Sequence, residues 1–161
     1  RIFQKTPVLP AVRRTWVMSV KAIREHTGKS LLAKWLPEIS GGKHAVGNPG
    51  VLISPDVLDK TKGDTWESIL DANPWLKTEK LVVKPDQLIK RRGKAGLIAL
   101  NKSFDEGKAW IMDRMCKEQT VETVTGQLTH FIMEPLVPHE QSEEFYICIL
   151  SLRYHDEIMF Y

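Results

Sequence analysis

The stretch LVVKPDQLIKRRGKAGLIAL (Leu81–Leu100) decides how the rest of the chain is read. Two apolar runs, Leu81–Val83 and Gly96–Leu100, flank a link that carries Lys84, Lys90, Arg91, Arg92 and Lys94. Short branched apolar runs bounded by proline and glycine predict two strands, Leu81–Lys84 and Gly96–Leu100, joined by a basic turn. Cations concentrated between two strands have three physical explanations: nucleic acid, a nuclear-import receptor, or the phosphates of a small molecule.

Charge balance narrows the choice. The chain has 161 residues and a formal net charge of +3. Residues 1–17 hold Arg1, Lys5, Arg13 and Arg14 and no acid, so the whole excess resides in that leader. The remainder is near neutral, which argues against a general polyanion-binding surface. No aromatic residue lies between Lys77 and Gly96 to stack on bases. An import signal is read as an extended peptide, and a turn held between strands is not one.

Phosphate binding requires cations and backbone N–H groups around an anion, with glycine where the chain approaches closely. Arg92-Gly93-Lys94-Ala95-Gly96 offers both, with the two glycines expected at unusual backbone angles. Lys84 ends an apolar strand, so its partly buried ammonium needs an anion nearby. The residues favour nucleotide phosphates over a merely solvated turn. A second constellation, MEPLVPHEQSEEFY (Met133–Tyr146), follows an apolar strand with a proline-stiffened turn and carboxylates. Backbone near Pro135 and Val137 suits a base edge, and Glu144 suits ribose hydroxyls. A plain hairpin with solvated glutamates explains the segment equally well.

Other motifs have bland explanations. HTGKS (His26–Ser30) lacks the glycine that a phosphate-binding loop requires five positions before Gly28, where Ile23 stands. Thr27 is read instead as the cap of a helix through Leu31, Leu32, Trp35 and Leu36, stopped by Pro37. Cys116 and Cys148 sit among apolar residues and read as buried thiols in a reducing cytosol. The histidines show no metal-binding spacing.

Along the rest of the chain, Val20–Ile23 and Val51–Ile53 read as short strands. Asp64 with Glu67 caps a helix that ends at Pro74, and Ser103 with Glu106 caps another reaching about Met115. Phe131–Met133, Glu143–Leu152 and Glu157–Tyr161 read as strands. Helices and strands mix without a βαβα rhythm, giving an α+β class. Residues 1–17 are read as an upstream leader and 18–161 as one domain. A last strand ending on Ile158, Met159, Phe160 and Tyr161 leaves an apolar edge, so the natural protein is expected to continue.

Taken together, MSVKAIREHTGKSLL (Met18–Leu32), NPWL (Asn73–Leu76), LVVKPDQLIKRRGKAGL (Leu81–Leu97), IMEPLVPH (Ile132–His139) and EEFYICI (Glu143–Ile149) resemble the start of the ATP-citrate lyase family. The segment Ser40–Gly63 departs from the resemblance in its length. The resemblance implies the N-terminal part of an ATP-grasp fold, an antiparallel or mixed sheet with flanking helices. It implies that Lys84 contacts ATP phosphates, that Arg92 and Gly93 belong to the loop over them, that Pro135 and Val137 line adenine, and that Glu144 meets the ribose. It also implies a cytoplasmic, homo-oligomeric parent enzyme that uses ATP, Mg²⁺, citrate and coenzyme A. The metal carboxylates, the phosphorylated histidine and the citrate and coenzyme A sites are expected beyond Tyr161. A succinyl-CoA-ligase-like enzyme and a non-catalytic nucleic-acid binder are the alternatives.

Overall fold

The computed structural model describes residues 23–59, 61–63 and 65–161. These residues form two units, 23–145 and 146–161. In the first unit a four-stranded antiparallel sheet has the order β1-β6-β2-β3. The strands are β1 (Val51–Ile53), β2 (Leu81–Pro85), β3 (Ala99–Lys102) and β6 (Phe131–Pro135). Helices α1 (Glu25–Ile39), α2 (Trp66–Ala72) and α3 (Phe104–Met112) accompany them, and β4 (Glu118–Val121) pairs with β5 (Val124–Gln127) in a separate hairpin. The α+β class holds.

The alternation within β2 and β6 gives the sheet two different faces. Leu81 pairs with Pro135, Val83 with Met133 and Pro85 with Phe131. Leu81, Val83, Phe131 and Met133 are fully buried and join Ile53, Leu76, Leu97 and Ile111 in the core. Helix α3 closes against this face: a Cβ on Gly107 would come within 2.9 Å of Met133 Cε and 3.0 Å of Val83 Cγ2. Trp110 meets Phe131 edge-on at 6.0 Å between ring centroids. The opposite face carries Val82, Lys84, Ile132 and Glu134, in the register Val82–Glu134 and Lys84–Ile132. That polar pair in the middle of an otherwise apolar sheet positions the site.

Several expectations hold. The Ser103–Glu106 capping box opens α3 in both directions. Helix α2 ends before Pro74, which starts a 3-10 turn (Pro74–Lys77). The strands at Val51–Ile53 and Phe131–Met133 are present, the latter extending to Pro135. Others need correction. Helix α1 starts at Glu25, ahead of Thr27, and its N-cap residue Arg24 makes no side-chain cap. Asp86, buried at the end of β2, instead accepts from the His26 N–H at 3.3 Å, capping the helix from across the fold. Pro37 lies inside α1, where its ring costs one N–H donor without ending the helix. Gly42 N–H donates to the Pro37 carbonyl to close the C-terminus. Leu31, Leu32 and Trp35 are half exposed, so α1 does not bury the apolar face expected of it.

Strand β3 starts at Ala99, three residues later than expected, because Gly96 (φ 67°) and Leu97 still belong to the turn. A bulge between Ala99 and Lys102 places Asn101 at φ 55°, setting three steps of β3 against two of β2. Thr65 caps α2 in a reciprocal box with Ser68. The expected Asp64 cap, and the strand predicted over Val20–Ile23 apart from Ile23 itself, lie outside the described residues, as does the leader. Among the described residues, no helix is long and apolar enough to cross a membrane.

The second unit is a two-stranded ribbon, β7 (Ile147–Ser151) against β8 (Asp156–Phe160). It forms where strands over Glu143–Leu152 and Glu157–Tyr161 are expected, although residues 141–143 make a 3-10 turn. Two strands alone cannot enclose a side chain, so Cys148 is only half buried. Cys116 is exposed in a left-handed turn at φ 59°. Neither cysteine is the buried thiol that the sequence suggests.

Candidate functional site

The site begins with Lys84, on the polar face of β2. Its side chain is only 13% exposed. It requires an anion, and two protein carboxylates supply one each: Glu25 Oε1 at 2.6 Å and Glu134 Oε1 at 2.6 Å. Glu134 is a neighbour because the β2–β6 register puts both side chains on one face, two residues apart along the sheet. Glu25 is a neighbour because Asp86 holds the first turn of α1 against the end of β2.

Lys29, one helical turn beyond Glu25, closes the arrangement. Its ammonium is bonded to Glu134 Oε2 and lies 3.0 Å from Glu25 Oε1. Glu25, Lys84, Glu134 and Lys29 thus form a closed ring of alternating charge. Arg92 attaches to the ring from outside. Its Nη2 donates to Glu25 Oε2 at 2.7 Å, and its Nη1 donates to the Pro85 carbonyl at 2.7 Å. Within these ion pairs three cations meet two carboxylates.

The electrostatics follow the geometry. Burial opposes ionisation of Glu25, yet hydrogen bonds from Lys84, Arg92 and Lys29 outweigh it and hold the carboxyl at about 2. Burial likewise opposes a charged Lys29, but its bonds to Glu134 and Glu25 raise it above its ordinary value. Glu25 and Lys29 are therefore both charged near neutral pH. The cluster is a fixed, partly desolvated charge array, the environment in which an oriented cation interacts most strongly with an incoming anion.

The turn that carries Arg92 is built locally. Arg91 takes the left-handed conformation (φ 56°) and Gly96 does the same (φ 67°). The N–H groups of Ala95, Gly96 and Leu97 bond back to the carbonyls of Arg91, Gly93 and Arg92. Gly93 is not in the left-handed region, contrary to the expectation for both glycines, and its side is open, the nearest atom to an added Cβ being Ile98 Cδ1 at 3.7 Å. Lys90, Arg91 and Lys94 are exposed, and Arg91 pairs with Glu122 at 2.8 Å at the tip of the β4–β5 hairpin. The basic link is therefore two structures: Arg92, turned inward to the ring, and a solvated rim.

The remaining predicted residues lie further along β6. Pro135 pairs with Leu81, its ring on the α3 side of the sheet rather than the Lys84 side. Val137 is 68% exposed just past the strand. It stands three residues after Glu134, at most about 11 Å of extended chain. Its carbonyl accepts from His139 Nδ1 at 2.8 Å, and His139 Nε2 lies 2.9 Å from Glu144 Oε1. These bonds, the backbone one foremost, raise the His139 imidazole above its ordinary value. Val137 and Glu144, predicted separately, are thus joined through His139.

Sequence reasoning singled out Lys84 and Arg92 but missed Glu25, Lys29, Glu134 and Asp86. Two local signals point to them: Glu25 and Lys29 at helical i,i+4 spacing, and the period-two pattern that puts Glu134 opposite the core. A groove of about 490 Å³ lies elsewhere, between Leu88, Ile89 and the hairpin residues Val121 and Val124. Its lining includes neither Lys84 nor Arg92. Among the described residues, no three His, Cys, Asp or Glu side chains gather where a metal ion would sit.

Comparison with known proteins bears on this geometry. A family model described as the ATP-citrate synthase ATP-grasp domain matches residues 19–161. The chain is 45% identical over 144 residues to the ATP-citrate synthase of Bos taurus, a match covering 89% of this chain and 12% of that protein. It is 41% identical over 162 residues to the probable ATP-citrate synthase subunit 2 of Schizosaccharomyces pombe, covering 89% of this chain and 33% of that one. Among solved structures, ATP citrate lyase from Methanothrix soehngenii in complex with citrate and coenzyme A matches with a TM-score of 0.69 at 38% identity. That match covers 86% of this chain and 31% of the solved one. The chain therefore spans between about an eighth and a third of the length of these relatives.

Proposed function

The chain belongs to the ATP-citrate synthase ATP-grasp domain family, and on that premise we propose that its charged ring receives the phosphates of ATP. Lys84 and Arg92 supply the cations, and the turn through Gly93 lies over the phosphates. The base lies toward Pro135 and Val137, with Glu144 at the ribose hydroxyls. The observation that carries the reading is the joining of Lys84 and Arg92 on the two oxygens of one carboxylate. A strand residue and a turn residue eight positions on have no local reason to converge in this way.

The chemistry follows from these groups. Lys84 has three ammonium donors, of which two are engaged, and Arg92 has five guanidinium donors, of which two are engaged. The remaining donors present fixed positive charge to oxygens that gain negative charge as a phosphoryl group transfers. Mg²⁺ that accompanies ATP would neutralise phosphate charge when bound. Citrate cleavage with coenzyme A to acetyl-CoA and oxaloacetate, with release of ADP and phosphate, is the activity proposed for the complete enzyme, in the cytosol. Support comes from the names of the relatives.

The test is kinetic. In the complete enzyme, Lys84→Ala combined with Arg92→Ala removes two charge-assisted contacts, each about 1.5–3 kcal/mol. The apparent KM for ATP should rise at least about a hundredfold. Unchanged ATP kinetics refute the site. Assaying citrate against succinate separates this enzyme from a succinyl-CoA-ligase-like one.

A further inference from the structure

We infer that Glu25 is a positioning residue for the nucleotide phosphates, holding Lys84 and Arg92 in one fixed geometry before the ligand arrives. The inference rests on the ATP reading above and names the group that organises that site. Lys84 comes from β2 and Arg92 from the following turn, and Glu25 bridges them: Oε1 lies 2.6 Å from Lys84 Nζ and Oε2 lies 2.7 Å from Arg92 Nη2. Lysine and arginine side chains lose much rotamer freedom when ordered. Here that cost is met on folding, so phosphate binds to groups already oriented.

A carboxylate beside a phosphate site has a second possible effect, competition for the same cations. Competition requires Glu25 to swing away when the anion enters. The structure opposes this in three ways. Asp86, buried and fixed by its own backbone bond to the His130 carbonyl, holds the first turn of α1 through the His26 N–H. Lys29, on the same helix, ties Glu25 Oε1 to Glu134. Arg92 is held independently by the Pro85 carbonyl, so its guanidinium stays in place with donors to spare. The carboxylate is locked from behind, which is the arrangement of an organiser and not of a movable plug.

The test uses the complete enzyme with ATP and, as a phosphate-free probe, adenosine. Glu25→Gln keeps the shape but replaces charge-assisted bonds with neutral ones, so KM for ATP should rise about tenfold. The inhibition constant of adenosine and the KM for the carboxylate substrate should not move, as they would if the fold were damaged. Glu25→Asp keeps the charge but draws the carboxylate back by one methylene. It should also raise KM for ATP, and it supplies the test should Glu25→Gln not fold. An unchanged or lower KM for ATP in the folded variants overturns the inference, the lower value identifying Glu25 as a competitor. Lys84→Ala separates the two levels: if it leaves KM for ATP unmoved, the ATP reading itself falls. If Lys84→Ala raises it while the Glu25 variants do not, only the role of Glu25 falls.

Discussion

Acid should strip the ring of its stabilising effect within a defined window, and Glu25 sets that window. The carboxyl is held at about 2 against an ordinary 4.5 because bonds from Lys84, Arg92 and Lys29 overcome its burial. A depressed carboxyl stabilises the fold fully above the unfolded value. Between pH 4.5 and about 2 the unfolded chain takes up a proton that the folded one refuses, and the contribution declines. At about 1.4 kcal/mol per pH unit, the window corresponds to about 3 kcal/mol. The side chain is 24% exposed, little enough that solvent does not screen most of this away. Urea unfolding of the native protein and of Glu25→Gln, followed from pH 7 to pH 2.5, isolates the group, because every other carboxyl is common to both. The stability difference should hold steady down to about pH 5 and then shrink by roughly 2 kcal/mol or more by pH 2.5. A difference that stays constant over the whole range would mean that Glu25 titrates normally, and the ring would not be the coupled array described.

Two further outcomes test other parts of the unit. Gly50 sits at φ 85°, where an added Cβ would lie 2.7 Å from the Met133 carbonyl oxygen, whereas Gly41 at φ 60° has nothing within 4 Å. Gly50→Ala should cost about 2–4 kcal/mol, strain and clash together, against about 1–2 kcal/mol for Gly41→Ala; equal losses by chemical denaturation would refute the close approach of β1 to β6. His139 should titrate above 6.5 by imidazole NMR, and Glu144→Gln should lower it only in part, since the Val137 carbonyl is the larger cause. A His139 titrating at or below 6.5 would mean that the link between Val137 and Glu144 is not made in solution.

How much of this was legible in the chain depended on how local the cause was. The Ser103–Glu106 box, the break at Pro74 and the strands of LVVKP and FIMEP are written in adjacent residues, and the structure follows them. The hairpin β4–β5 left no such mark. Its strands are mostly polar and exposed, held by Thr120 against Thr125 at 2.8 Å and by a turn with Glu122 at φ 55°, so no apolar alternation announces it. The start of α1 was misread for a related reason. Thr27 offered a nearby cap, but the actual one, Asp86, lies 60 residues away and exists only once β2 is in place. The ring repeats the pattern in the site. Lys84 announces itself as a cation that needs an anion, because a lysine ending an apolar strand cannot stay uncompensated. Which anions answer is fixed at long range, Glu134 by strand register and Glu25 by the docking of α1 on Asp86. Slide β6 by one residue against β2 and Glu134 turns to the α3 side, toward Val83, while Met133 turns out of it. Lys84 would then keep only Glu25, and Lys29 would lose the bond that closes the ring. The hydrophobic core therefore selects the charged site: burying Phe131 and Met133 on one face is what delivers Glu134 to Lys84 on the other.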